Sequence, residues 1–139
     1  MPKTSAGIWR GLVQALRSDA AFRTAITGGI HEGIAPEKVD YPFATYSPVA
    51  APYEDDWGSR MIVAVVDVFV FSENQVTARN GDQTIADALD SAQLTVDDQS
   101  TLICRRIADV PASPDVDAEG KLIYQVGGTY EIWTSQPLM

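Results

Sequence analysis

Arg60-Met61-Ile62-Val63-Ala64-Val65-Val66-Asp67-Val68-Phe69-Val70-Phe71 is the stretch on which the fold turns. Successive side chains of a strand point to opposite faces. A strand over 60–71 therefore presents Ile62, Ala64, Val66, Val68 and Val70 on one side, all apolar. The other side carries Met61, Val63, Val65, Asp67, Phe69 and Phe71, mostly apolar too. A strand apolar on both faces is expected to be covered on both. In a chain of 139 residues with few helices, the second cover is expected from another subunit. Asp67 interrupts the run, and a carboxylate there is costly unless paired. Arg105 and Arg106 are its candidate partners if their strand lies alongside; a solvated position at an edge is the alternative.

The pattern extends in both directions from this strand. Ser72-Glu73-Asn74-Gln75 reads as a capping box opening a helix to about Ala92, with Ala78, Ile85, Ala88, Leu89 and Ala92 as its apolar stripe. Upstream, residues 50–59 are polar, acidic and carry two aromatics, which predicts an exposed loop. Before it, Phe43 to Val49 reads as a strand led in by Tyr41-Pro42, with Pro48 placing its end at a sheet edge or bulge. Ile30 to Ile34 is a short extended piece.

The chain starts with a helix. Ile8, Leu12, Ala15 and Leu16 recur at helical spacing, Trp9 and Val13 widen the stripe, and Thr4 or Ser5 can cap it. Ser18-Asp19 opens a second, short helix with Ala21, Phe22 and Ile26, which Gly28-Gly29 ends. Downstream, 101–110 and 121–135 read as a long antiparallel hairpin joined by a turn-rich connection, Pro111 to Gly120, with a bulge expected at Gly127-Gly128. The order α-α-β-β-β-α-β-β implies an α+β fold with a mainly antiparallel β-sheet and helices packed on one face. One domain over 1–139 accounts for the length.

Composition excludes several classes. Hydrophobic residues make up 45% and charged residues 21%, an ordinary globular balance. No apolar run of about 18 residues suggests a membrane helix, and no apolar stretch behind Lys3 suggests a signal peptide. The net charge of −9 argues against a nucleic-acid-binding module, which normally has a basic footprint. It does not argue against a protein that lets nucleic acid pass without holding it, since an acidic surface repels phosphates.

Tests for chemistry find no reaction centre. His31 is the one histidine, without a nucleophile motif, and reads as a surface or interface residue. Cys104 is the one cysteine, on the apolar parity of its strand, and reads as a buried thiol. One Cys with one His makes a zinc site implausible. Asp115-Val116-Asp117-Ala118-Glu119-Gly120 resembles the start of an EF-hand loop, but the glutamate needed at its twelfth position falls on Val126, so a solvated turn is expected. Glu54-Asp55-Asp56 reads as solvated, and no glycine-rich phosphate loop occurs. The expectation is a protein with no catalytic, cofactor or metal site. Exposed Tyr53 and Trp57 beside Asp55 and Asp56 have the composition of a protein–protein contact. With Asp67, Phe69, Phe71, Arg105 and Arg106, they form the expected interface set.

The layout resembles the tail-completion, or tail-terminator, proteins of long-tailed phages. The resemblance rests on the helix Ile8-Trp9-Arg10-Gly11-Leu12-Val13-Gln14-Ala15-Leu16, the short helix Asp19 to Phe22 and the lead-in Asp40-Tyr41-Pro42-Phe43-Ala44-Thr45-Tyr46. The apolar strand Val63 to Ser72 with its following helix, and the aromatic closing strand Tyr124 to Trp133, complete it. No single motif is diagnostic, and no catalytic residue carries over. The resemblance implies a homo-hexameric ring that caps the tail tube, ends its elongation and meets a head–tail connector while DNA passes through the lumen. It implies a place in the virion at the neck end of the tail and assembly in a bacterial cytoplasm, for an infectious phage or a gene transfer agent alike. A neighbouring neck or head-closure component, and a small dimeric α+β ligand-binding domain, are the alternatives.

Overall fold

The apolar strand becomes the middle of a five-stranded sheet. The computed structural model describes residues 6–36, 38–55, 61–94, 100–117 and 119–135. Its elements are α1 (Ala6–Arg17), α2 (Ala20–Ala25), β1 (Ile30–Glu32), β2 (Phe43–Asp55), β3 (Met61–Ser72), α3 (Gln75–Leu89), β4 (Ser100–Val116) and β5 (Leu122–Ser135), in the order expected. The strand order is β1-β2-β3-β5-β4. All neighbours run antiparallel except β1 and β2.

Three helices lie on one face of this sheet. Ile8, Leu12 and Leu16 of α1, Phe22 of α2, and Ile85 and Leu89 of α3 share a core with Ala64, Val66, Val68 and Val70 of β3. Ala44, Tyr46, Cys104, Tyr130 and Ile132 complete the same layer from β2, β4 and β5. The even-numbered side of β3 is thus the helix-covered side.

Local chemistry departs from the sequence reading at the ends of elements. Ser72 does not cap α3. It is buried in β3, and its Oγ accepts from the Asn74 N–H at 3.2 Å. Asn74 is the cap, its Oδ1 accepting from the N–H groups of Val76 and Thr77 at 2.9 and 3.2 Å. The strand pairs with β5 right up to Ser72, which delays the helix by two residues. Asp19 caps α2 by accepting from the Phe22 N–H at 2.9 Å.

Two expected loops are largely strand. β2 runs on through 50–55, paired with β3 after register shifts at Pro48/Ala50 and Ala50/Tyr53. β4 likewise continues to Val116 through shifts at Thr101/Ile103, Arg106/Ala108 and Val110/Ser113. Pro111 and Pro114 fit because β4 is an edge strand, where a missing N–H on the outer side costs nothing. The turn shrinks to the residues around Asp117, whose Oδ1 accepts from the N–H groups of Glu119 and Lys121.

The bulge expected at Gly127-Gly128 is absent from β5, which keeps unbroken register with β3 there. The irregularities sit on the partner strand, β4. The two glycines answer a different need. A side chain at Gly127 would strike the Val68 carbonyl and the Phe69 ring, and one at Gly128 would strike the Arg106 guanidinium.

Candidate interaction surface

The second face of the sheet carries the odd-numbered residues of β3, and no described element packs on it. Val65, Asp67, Phe69 and Phe71 are half-buried there, and Val63 and Thr45 are buried. Register places Phe43 beside Phe71 and Trp133 beside Val63, with Ile103 of β4 beyond Trp133. The Tyr41, Phe43 and Phe71 rings form a row, with centroids 5.4 and 5.1 Å apart and the last pair stacked. Phe69 lies against backbone where Gly127 has no side chain. The result is a broad apolar, aromatic surface without a cover among the described residues.

A few polar groups are set into it. Asp67 is not paired with Arg105 or Arg106, because β5 lies between β3 and β4. The Thr129 hydroxyl donates to Asp67 Oδ1 at 2.6 Å instead. Trp133 Nε1 donates to Glu131 at 2.6 Å. Arg105 stands exposed on β4 in register with Glu131.

Arg106 faces the other way from Arg105, in register with Tyr130. Its parity points it to the helix side, where it is an internal clamp. It binds both carboxylate oxygens of Asp82 at 2.9 Å, Asp109 at 2.7 Å, the Tyr130 hydroxyl at 2.9 Å and the Gly127 carbonyl at 3.0 Å. Burial works against its charge, but the bonds to Asp82 and Asp109 outweigh it and hold its pKa above the ordinary arginine value. Adjacent arginines in sequence thus have unlike jobs, separated only by which face each meets.

Of the other expected interface residues, Tyr53 and Asp55 occupy the end of β2, in register with Val63 and Met61. Asp56 and Trp57 lie outside the described residues. Phe43, Ile103, Thr129 and Trp133 belong to the same face and were missed. Their parity was readable in each strand, but the register that assembles them was not.

The residues tested for chemistry each have a local occupation. His31 Nε2 donates to the Gly28 carbonyl at 2.8 Å. Cys104 is buried, and that burial, with Asp90 nearby, pushes its thiol pKa up to about 12. Asp117 closes the β4–β5 turn and accepts from the Tyr41 hydroxyl at 3.1 Å. The Lys121 N–H is the main influence holding the Asp117 carboxyl below its usual range, with the Tyr41 hydrogen bond adding to it. Lys121 itself pairs with Glu73 at 2.8 Å, so the hairpin tip is tied to the β3–α3 corner as well as to the segment leading into β2. Among the described residues, no cluster of His, Cys, Asp or Glu is arranged to hold a metal ion. No described helix is long and apolar enough to cross a membrane.

One face of the sheet is packed by the chain's own helices, and the other is apolar and uncovered among the described residues, a surface suited to contact. The tail completion protein gp17 family model matches residues 10–134, and the chain belongs to that family. It is a structural protein of the phage-tail class. Its fold is similar to that of a chain in the virion of a native gene transfer agent particle, with a TM-score of 0.74 at 13% identity, covering 97% of this chain and 99% of that one. A second solved chain, at 14% identity and a TM-score of 0.48, covers 94% of this chain and 97% of its own length. No curated protein matches the chain.

Proposed function

We propose that this chain is the subunit of a homo-hexameric ring that caps the tail tube, ends its elongation and forms the head-side joining surface of the tail. Family membership over 10–134 carries the reading, and the open aromatic face supports it by requiring a neighbour. The partners are further copies of the chain, the tail tube protein and a head–tail connector. DNA passes through the lumen without being held, consistent with the net charge of −9. The virion, at the neck end of the tail, is its place, after assembly in the bacterial cytoplasm. Similarity to a gene transfer agent chain extends the reading to such particles as well as to infectious phages. Its role is contact and geometry, with no reaction.

The interface set is Tyr53, Asp55, Asp56, Trp57, Asp67, Phe69, Phe71 and Arg105, with the open face as its centre. Deleting the gene tests the function directly. Abnormally long tails, or tails that fail to join heads, are the expected phenotype. Normal tail length with normal joining would sink it. Finished tails beside leaking heads would instead identify a neck or head-closure component.

A further inference from the structure

We propose that copies of this chain stack front to back, the exposed side of α1 and α2 of one copy seating on the open sheet face of the next. This rests on the ring reading above and specifies its contact.

Sheet extension is the first route closed. β1 covers only Ala44–Tyr46 of β2, and the rest of that edge carries Pro48 and Pro52 with two register shifts. β4, the opposite edge, carries Pro111 and Pro114 with three shifts, and the α3 C-terminal segment occupies it at Cys104 through Ser91 and Ala92. Prolines and bulges are how edges are kept from pairing with other chains. The faces remain.

The two faces are unlike, one helical and one open sheet. Contact between unlike faces is heterologous, and it closes into a ring when the rotation from copy to copy divides the circle. The sizes agree. Helices are about 10 Å wide, so a pair covers about 20 Å, while strands spaced about 4.8 Å apart give a five-stranded sheet of about the same width. The open face would gain the same kind of cover its opposite face already has.

Charge supports the same pairing. Asp67 sits at the middle of the open face, and Thr129 satisfies only its Oδ1. Glu131 is the second carboxylate there, with Arg105 toward the β4 margin. α1 and α2 expose Arg17 and Arg23, while the aspartate between them, Asp19, is occupied as the α2 cap. Arg23 donates to the Arg17 carbonyl at 2.9 Å and Arg17 to the Ile30 carbonyl at 3.5 Å; among the described residues neither pairs with a carboxylate. Guanidinium groups also pack well on aromatic rings, which Phe69 and Phe71 offer beside Asp67.

The test is a charge-swap mixing experiment on the full-length chain, read by native mass spectrometry and sedimentation, with and without tail tube protein. D67K and R23E are each expected to weaken assembly at least tenfold while keeping the wild-type circular dichroism spectrum. Mixing the two variants is expected to restore the oligomer, since every contact in an alternating ring then joins opposite charges. D67N, which retains an acceptor for Thr129, is expected to reduce the salt sensitivity of assembly. If R23E assembles like wild type, or the mixture stays dissociated while wild type forms rings, the stacking is wrong and the ring reading stands. A wild-type chain that remains monomeric even with tube protein overturns both.

Discussion

Arg106 spends all five of its N–H donors inside the molecule, on Asp82, Asp109, Tyr130 and Gly127. Its side chain and that of Asp82 are each only 14% exposed. Arg106→Ala should therefore cost about 3 kcal/mol in urea unfolding, because it leaves a partly buried carboxylate without its partner. Arg105→Ala, on the exposed side of the same strand, should change stability by less than about 0.5 kcal/mol. Cys104 gives a pH test. Its folded pKa of about 12 exceeds the ordinary 9.0, because burial disfavours the thiolate. The unfolded chain therefore loses this proton first. Stability from this group is complete below pH 9 and falls as pH rises through about 12. Cys104→Ala should flatten that decline in alkaline urea titrations, and a thiol reagent at neutral pH should react with the wild-type chain only after unfolding.

At the scale of elements, sequence periodicity and end chemistry had different fates. The 3.6-residue stripes of α1 and α3 and the parity of β3 were legible, because burial on one side leaves a repeating mark in composition. The caps were less so. Ser72 and Asn74 are both good cap residues, and only the pairing of β3 with β5 up to Ser72 decides between them. Asn74→Ala should cost about 1 kcal/mol by losing the cap, measurable as a lower thermal midpoint. Ser72→Ala should cost less, since it gives up one local bond to the Asn74 N–H. The lengths of β2 and β4 were underestimated for a related reason. Proline, glycine and acidic residues read as turns, yet an edge strand with bulges accommodates them.

At the scale of the whole molecule, the face that no described element covers is the one that, on the proposed reading, separates folding from assembly. Phe69 is half-buried there and packs across Gly127, away from the helix-covered core. Phe69→Lys should thus lower the stability of the isolated chain by about 1 kcal/mol. Its effect on oligomer formation should be far larger, because the lysine must be desolvated in the contact. Equal thermal midpoints and equal oligomer mass for wild type and variant would place Phe69 outside any interface. A large loss of stability in the isolated chain would show the ring to be core packing.

The sequence by itself determined the order of elements, the face of each helix that is buried, and the unusual double apolarity of 60–71. Those properties are local, written in the spacing of residues along one element. Tertiary structure alone decided that β5 lies between β3 and β4, and with it that Asp67 meets Thr129 and Arg106 meets Asp82. Strand order and register are long-range pairings, set by which sheet closes the core best, and a one-residue shift exchanges the two faces. The apolar residues of 60–71 could announce that two covers were needed. Only the packed helices show that the chain supplies one of them itself, on the side of Val66 and Val68.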